Sequence, residues 1–272
     1  MRASYSNVVI AALLAFPLLA GHGAAAKTLR VGGSGGFLVA IQQISGPYKA
    51  ATGVDLEVIA GLGTAGAMRA LGDGVIDVVF AAREPNPNEV KVRLLSPAFA
   101  RTPLVFVTSH PKPNGLRSGD IPEIFTSLDP KWEDGTPLRI IIRTKVDADT
   151  VLVGWLLPGL ARAIERARAR ADVPVAATDQ DNVAIAQRLN GSLTIAGYGQ
   201  IIAEKCDLRF IAIDGIAPSL ATLTDGSYPY EKKFYLVFAA DRSADAEQLL
   251  RFLRSPEAGK ILLAIGYLPF GE

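Results

Sequence analysis

The sequence predicts an α/β protein. Apolar, β-rich runs alternate with segments of helical periodicity, and some of these runs, such as 75–82, are apolar almost without a break. Glycine-rich turns join strand to helix. Strands that are apolar throughout need a sheet covered on both faces, which is the arrangement of alternating strands and helices.

The elements follow in order. Residues 29–31 lead into Gly32-Gly33-Ser34-Gly35-Gly36, and a helical pattern runs over 37–51 and ends at Gly53. Residues 54–60 alternate, with Val54, Leu56 and Val58 on one face. Gly61-Leu62-Gly63-Thr64-Ala65-Gly66 comes next, then a short helix to Leu71, then the strand 75–82 interrupted only by Asp77. The run 104–108 ends in the turn signal His110-Pro111-Lys112-Pro113-Asn114-Gly115. Residues 121–126 read as a helix, 138–142 as a strand, and 150–171 as a long helix in which Pro158 predicts a kink. A strand at 173–177 and a helix at 180–189, ending in Asn190-Gly191, precede strands at 208–213 and 234–239 and helices at 244–253 and 256–265. The runs 104–108 and 234–239 read as two passes between lobes. The chain would build half of one lobe, all of the other, and return.

Composition narrows the function classes. The 272 residues carry 28 Lys and Arg against 27 Asp and Glu, a net charge of +1. That balance excludes a general nucleic-acid binder, which shows a basic excess. With 49% hydrophobic residues the chain is not of disordered composition. A single cysteine allows neither an intrachain disulfide nor a thiolate metal cluster. Arg2, the apolar run 8–20 and Ala24-Ala25-Ala26 read as a secretory leader over 1–26, since the run is short of the roughly 20 residues a bilayer span needs. Removing it takes Arg2 away and leaves a neutral mature chain beginning at Lys27.

Two motifs look enzymatic. Gly32 to Gly36 fits G-x-S-x-G between strand and helix, the setting of a nucleophile elbow. A serine nucleophile needs a base, and the histidines are His22, in the leader, and His110, in a Pro-rich turn. Gly61 to Gly66 fits G-x-G-x-x-G, with Glu84 near the distance at which a dinucleotide site keeps an acidic residue, although this is the second strand–helix turn. The physics the motifs share is more general. A glycine turn lets backbone approach a ligand, and the helix start behind it offers free N–H groups and partial positive charge. Two such turns in successive units open on one sheet edge, where N–H groups, Ser34 and Thr64 could hold a small anion; two tight turns with Ser and Thr caps fit the same residues. Arg143 ends a strand just before Asp147-Ala148-Asp149-Thr150 begins a helix. Its fork could clamp an oxyanion or pair with Asp147 or Asp149. Arg162, Arg166, Arg168 and Arg170 read as a solvated helix face, Cys206 as a half-buried lone thiol, and Trp132 and Trp155 as packing residues.

Together these segments resemble the phosphate-binding branch of the periplasmic solute-binding proteins of ABC transporters, with their two-lobed type II fold of sheets flanked by helices and two crossover strands. Gly32 to Phe37 is similar to the family's first loop, Gly61 to Gly66 to its second, Ile76-Asp77 through Arg83 to its next strand, 120–132 to the segment leading to a tryptophan, and Ala196-Gly197-Tyr198 to its I-G-Y turn. The most specific likeness is the ending, Phe252-Leu253-Arg254-Ser255-Pro256-Glu257 to Gly266-Tyr267-Leu268-Pro269. The resemblance implies lobe one at 27–107 and 235–272 and lobe two at 108–234, closing on a ligand. It places ligand contacts at Gly36, Phe37, Thr64, Arg83, Arg143, Asp147, Ala148, Asp149 and Thr150, beside Ser34. It implies phosphate or a related oxyanion, a membrane permease as partner, a periplasmic monomer, and no catalysis, cofactor, metal or nucleic acid.

The sequence departs from that pattern at the fourth loop. Where the family runs G-S-G-T, this chain has Asp147-Ala148-Asp149-Thr150, and Ala82 precedes Arg83 where a serine or aspartate is expected. At about 4 Å a like-charge pair costs roughly 4 kcal/mol at an effective dielectric near 20. Three readings stay open: an aspartate caps the helix and points away, an aspartate accepts the proton of a hydrogen-phosphate, or the ligand is organic. Two further functions fit the same residues less closely: a binding module serving a sensor, and a hydrolase using Ser34.

Overall fold

The computed structural model describes residues 27–89 and 93–270; the expected leader lies outside the described residues. The first units are β1 (Thr28–Gly33), a 3-10 turn (Gly35–Phe37), α1 (Leu38–Thr52), β2 (Asp55–Ile59), α2 (Gly63–Gly72) and β3 (Val78–Ala81). β1 is parallel to both β2 and β3. Gly53 closes α1 in the left-handed conformation at φ 73°, the usual glycine stop. The strand expected from residue 75 starts only at Val78. The reason is Asp77, whose carboxylate takes the Arg30 amide at 2.8 Å and the Arg30 guanidinium at 2.9 Å.

β4 (Arg93–Leu95) and β5 (Ala100–Thr108) lead to α3 (Ile121–Thr126), β6 (Arg139–Ile140) and β7 (Ile142–Arg143). The single strand expected at 138–142 is split between two sheets, β6 pairing with β9 (Ser192–Gly197) and β7 with β8 (Val175–Ala176). The long helix expected at 150–171 is two helices, α4 (Ala148–Leu156) and α5 (Leu160–Arg168). Pro158 does more than kink it. Leu157 ahead of it is extended, as the residue before proline prefers, and Gly159 behind it has φ 85°. α6 (Asp179–Arg188), α7 (Tyr198–Ala203), β10 (Arg209–Phe210), α8 (Leu220–Thr224), β11 (Glu231–Ala239), α9 (Ser243–Leu253), α10 (Pro256–Ala264) and β12 (Leu268–Pro269) complete the order.

The main sheet runs β2-β1-β3-β11-β5-β9-β6, with β4 on β11 and β10 and β12 on β5. β11 is shared. Glu231 to Phe234 pair with β5, and Tyr235 to Phe238 pair with β3. The apolar residues form two large cores. One gathers Phe37, Phe80, Phe99, Phe234, Leu249 and Tyr267, the other Phe106, Phe125, Trp132, Leu160, Leu193 and Tyr228. This is the α/β, two-lobed binding-protein fold the sequence implies. Trp132 packs as expected, its indole N–H donating to Gly191 O at 3.0 Å. Among the described residues no helix is long and apolar enough to cross a membrane.

Candidate functional site

The first glycine turn is built for close approach. Gly33 has φ 150°, and a Cβ there would lie 2.1 Å from Phe80 O. The Ser34 amide donates to Phe80 O at 2.9 Å, and Ser34 itself is buried beside Gly36. A Cβ on Gly35 would fall 2.7 Å from Asp179 Oδ2 and 2.6 Å from Gln180 Oε1, so the start of α6 seats directly on this turn. The Gly36 amide donates to Asp179, Gln180 Nε2 donates to Gly35 O at 3.0 Å, and the Tyr267 hydroxyl donates to Gly36 O. The Phe37 ring turns away from the charge cluster into the first core. It sits 4.6 Å from Phe234 and 4.9 Å from Tyr267, fully buried, because an aromatic following the turn is drawn into that core.

Arg143, at the end of β7 and 5% exposed, divides its guanidinium between two carboxylates: Asp147 Oδ2 at 2.8 Å and Asp179 Oδ1 at 3.0 Å. Asp147 is also the N-cap of α4, accepting from the amides of Asp149 at 3.0 Å and Thr150 at 3.3 Å. It therefore caps the helix, as one reading allowed, but faces the arginine. Asp149 lies 2.5 Å from Lys232 Nζ, and each of the two is 1% exposed. Two cations thus meet three carboxylates, supplied by β7, α4, α6 and β11. Burial, with Asp149 and Asp179 nearby, pushes Asp147 up to about 7. Burial alone would raise Asp179 as well, but Lys232, Arg143 and the Gly36 amide hold it below the usual carboxylate range. Burial disfavours the charges of Arg143 and Lys232, and the surrounding carboxylates outweigh it and raise both pKa values. The void beside Arg143, Asp149 and Thr150 is about 10 Å³, room for no more than one water. Ala148 packs into the first core, so this position of the loop offers no hydroxyl and faces apolar neighbours.

The second glycine turn does not add to the cluster. The buried Thr64 hydroxyl accepts from the Ala82 amide at 3.1 Å, a bond that ties α2 to the end of β3. Arg83 forks onto Glu89 at 2.8 and 3.0 Å. Arg83 lines a separate open cavity of about 810 Å³, with Ala65, Tyr235, Val151, Leu152 and Trp155 among the other walls. Trp155 corrects the packing expectation, being 74% exposed on α4, with Val146 also exposed nearby. Glu84, the candidate acidic partner of a nucleotide, receives the Tyr235 hydroxyl at 3.3 Å on the same wall. His110 has both ring nitrogens engaged away from Ser34, Nε2 with Asp134 at 3.1 Å and Nδ1 with the Lys112 amide at 3.2 Å. The contact a Ser34 hydrolase needs is therefore absent. Burial raises the half-buried Cys206 thiol to about 11, which leaves little thiolate. Among the described residues no group of His, Cys, Asp and Glu is arranged to hold a metal ion.

Sequence reasoning missed Lys232, Asp179 and Gln200. A signal existed for Lys232: in Glu231-Lys232-Lys233-Phe234-Tyr235-Leu236 it shares the β11 face of Phe234 and Leu236, a lysine in an apolar row. Asp179 carries no comparable signal, because an acidic residue in the first turn of a helix is ordinary.

A family model described as PBP superfamily domain matches residues 20–257. A comparison with curated protein sequences finds no match. Among solved structures the chain is similar to a phosphate ABC transporter substrate-binding protein with bound phosphate from Clostridium perfringens, at TM-score 0.76 and 14% identity over 90% of this chain and 100% of that one. It is similar to the periplasmic molybdate-binding protein of Azotobacter vinelandii, at TM-score 0.59 and 19% identity over 88% and 98%. It is also similar to the substrate-binding protein of an amino acid ABC transporter, at TM-score 0.52 and 14% identity over 86% and 95%.

Proposed function

The chain belongs to the PBP superfamily, and on that premise we propose that it is a periplasmic solute-binding protein, delivered by a cleaved leader, that hands a small organic solute to the permease of an ABC transporter. On this reading the lobes are 27–107 with 235–272 and 108–234. The change of partner within β11 between Phe234 and Tyr235 supports one bound, while β5 passes from β11 at Ala100–Pro103 to β9 at Leu104–Val107, which favours placing the other bound earlier, near residue 104. The solute occupies the cavity beside Trp155. One observation carries this choice over an oxyanion at Arg143: Arg143 and Lys232 are already matched by Asp147, Asp149 and Asp179 around a void of about 10 Å³, while the 810 Å³ cavity exposes an indole. Cavities of roughly 300–1,000 Å³ with aromatic walls and a few polar groups are the usual form of organic-ligand sites. The three structural likenesses span phosphate, molybdate and amino acid transport proteins, so the fold alone leaves the solute open.

A thermal-shift screen of the purified chain against phosphate, sulfate, molybdate and a panel of aromatic and branched aliphatic acids and amides tests the reading. A ligand selective for the folded state raises apparent stability. An organic solute is expected to raise Tm and change Trp155 fluorescence, with phosphate and molybdate inert. A rise in Tm with phosphate or molybdate, and none with any organic compound, restores the oxyanion reading in its place.

A further inference from the structure

We propose that Asp179 is a built-in counter-ion: its carboxylate fills the oxyanion seat between the lobes, latches them together without solute and denies that seat to free oxyanions. The three aspartates of the cluster have different duties. Asp147 is accounted for locally, as the cap of α4 and the near-neighbour partner of Arg143. Asp149 opposes Lys232. Asp179 alone of the three joins Arg143 at 3.0 Å to the Gly36 amide of the first glycine turn. An arginine fork, a backbone N–H at a helix start and a nearby lysine are the donors a small oxyanion would recruit, and here they converge on the protein's own two oxygens.

The surroundings fit a seat rather than incidental packing. Lys232 Nζ and Gln200 Oε1, on residues each 1% exposed, point at Gly36, 3.4 and 3.6 Å from where its Cβ would be. Lys232 Nζ is already paired with Asp149, whereas Gln200 Oε1 has no hydrogen-bond partner among the described residues. A seat whose walls keep spare polar capacity can exchange one occupant for another. Gly35 is held between Asp179 and Gln180, so the backbone approaches α6 as closely as it would approach a ligand. The inference rests on the two-lobed solute-binding reading for its consequence. Its test uses different ligands and a different probe from the organic-solute screen, so either can fail alone.

The experiment compares the full chain with Asp179→Gly, which empties the seat, and Asp179→Asn, which keeps its shape without the charge. Each is titrated with formate and with phosphate at constant ionic strength, and its radius of gyration is measured by small-angle X-ray scattering. The unsubstituted chain is expected to stay compact and indifferent to both anions. Asp179→Gly is expected to gain roughly 5 °C in Tm at an anion concentration about a hundredfold above Kd, with formate, the closer analogue of the lost carboxylate, acting at lower concentration. Asp179→Asn is expected to expand in scattering, since a neutral amide makes a weaker latch across the lobes. Should Asp179→Gly fail to fold, the scattering of Asp179→Asn decides. Variants as compact as the unsubstituted chain and equally indifferent to anions overturn the proposal, as does an unsubstituted chain that binds phosphate as tightly as Asp179→Gly.

Discussion

Helix α4 carries both halves of an instructive contrast. Its first turn, with Asp147 and Asp149, is sealed against Arg143, Asp179 and Lys232, all buried, with space for one water at most. One to two turns later Val151, Leu152, Trp155 and Leu156 form the wall of an open cavity. The charged end is where the lobes are already joined. The apolar end is where the molecule leaves area that burial would stabilise, at about 25 cal/mol per Å². An exposed indole among aliphatic neighbours marks a surface waiting for a partner more strongly than a neutralised charge cluster does.

The largest expected effect comes from breaking the sealed half. Lys232→Met removes one partner of a buried pair and leaves Asp149 uncompensated, a change that costs about 3–5 kcal/mol. Chemical denaturation is expected to show a loss of that size. Adding Asp149→Leu to Lys232→Met is expected to recover much of it, since an apolar pair of similar volume is often no worse than a buried ion pair. A Lys232→Met protein as stable as its parent would show that the cluster is hydrated and open, and the contrast with the cavity would collapse.

The next effect is a pH slope. Asp147 is held up at about 7, above its ordinary value of 3.8. A carboxyl raised in the folded state binds protons that the unfolded chain has released. Its stabilisation is therefore full below about 4 and lost as pH rises through about 7. Asp179 runs the other way, since its lowered pKa gives stability that is lost only as pH falls below the ordinary carboxylate range. Between pH 5 and 8 Asp147 governs, so Tm is expected to fall across that window. Asp147→Asn, which keeps a good N-cap residue, is expected to flatten the slope. A Tm that rises from pH 5 to 8, or a slope unchanged in Asp147→Asn, assigns the titration elsewhere.

The two halves also differ in how far the sequence discloses them. Many of the strands and helices were legible, because period-2 and period-3.6 patterns and glycine stops such as Gly53 are local. However, β9 (Ser192–Gly197), α7 and α8 were not read from the sequence, although β9 is the partner of β5 in the main sheet. The break at Pro158 was legible as a perturbation but not as two helices, since that also needed Gly159 at positive φ. Arg143, Asp147 and Asp149 were legible as neighbours in one loop. Asp179 and Lys232 were not, because nothing within several residues of either one states what it pairs with; only the fold brings β7, α4, α6 and β11 to one point. Phe37 shows the converse. Its place beside a ligand-type turn suggested a contact, and the first core claimed the side chain instead. The cavity was invisible for a plainer reason, since whether Trp155 is buried depends on what stands across from it.

The smallest expected change in stability is the most discriminating about function. Trp155 is 74% exposed and buries little area against the fold, so Trp155→Ala is expected to shift unfolding free energy by no more than about 0.5 kcal/mol. A solute that covers the indole would lose the contact that large aromatic anchors supply, about 2 kcal/mol or more, which is roughly thirtyfold in Kd. The buried Trp132 remains as an internal fluorescence reference, since the chain has two tryptophans. Equal stability with weakened organic binding places the solute against α4. Equal stability with unchanged binding of the same solute moves the site out of the cavity and back toward the Arg143 seat, where the Asp179 variants then become the sharper probe.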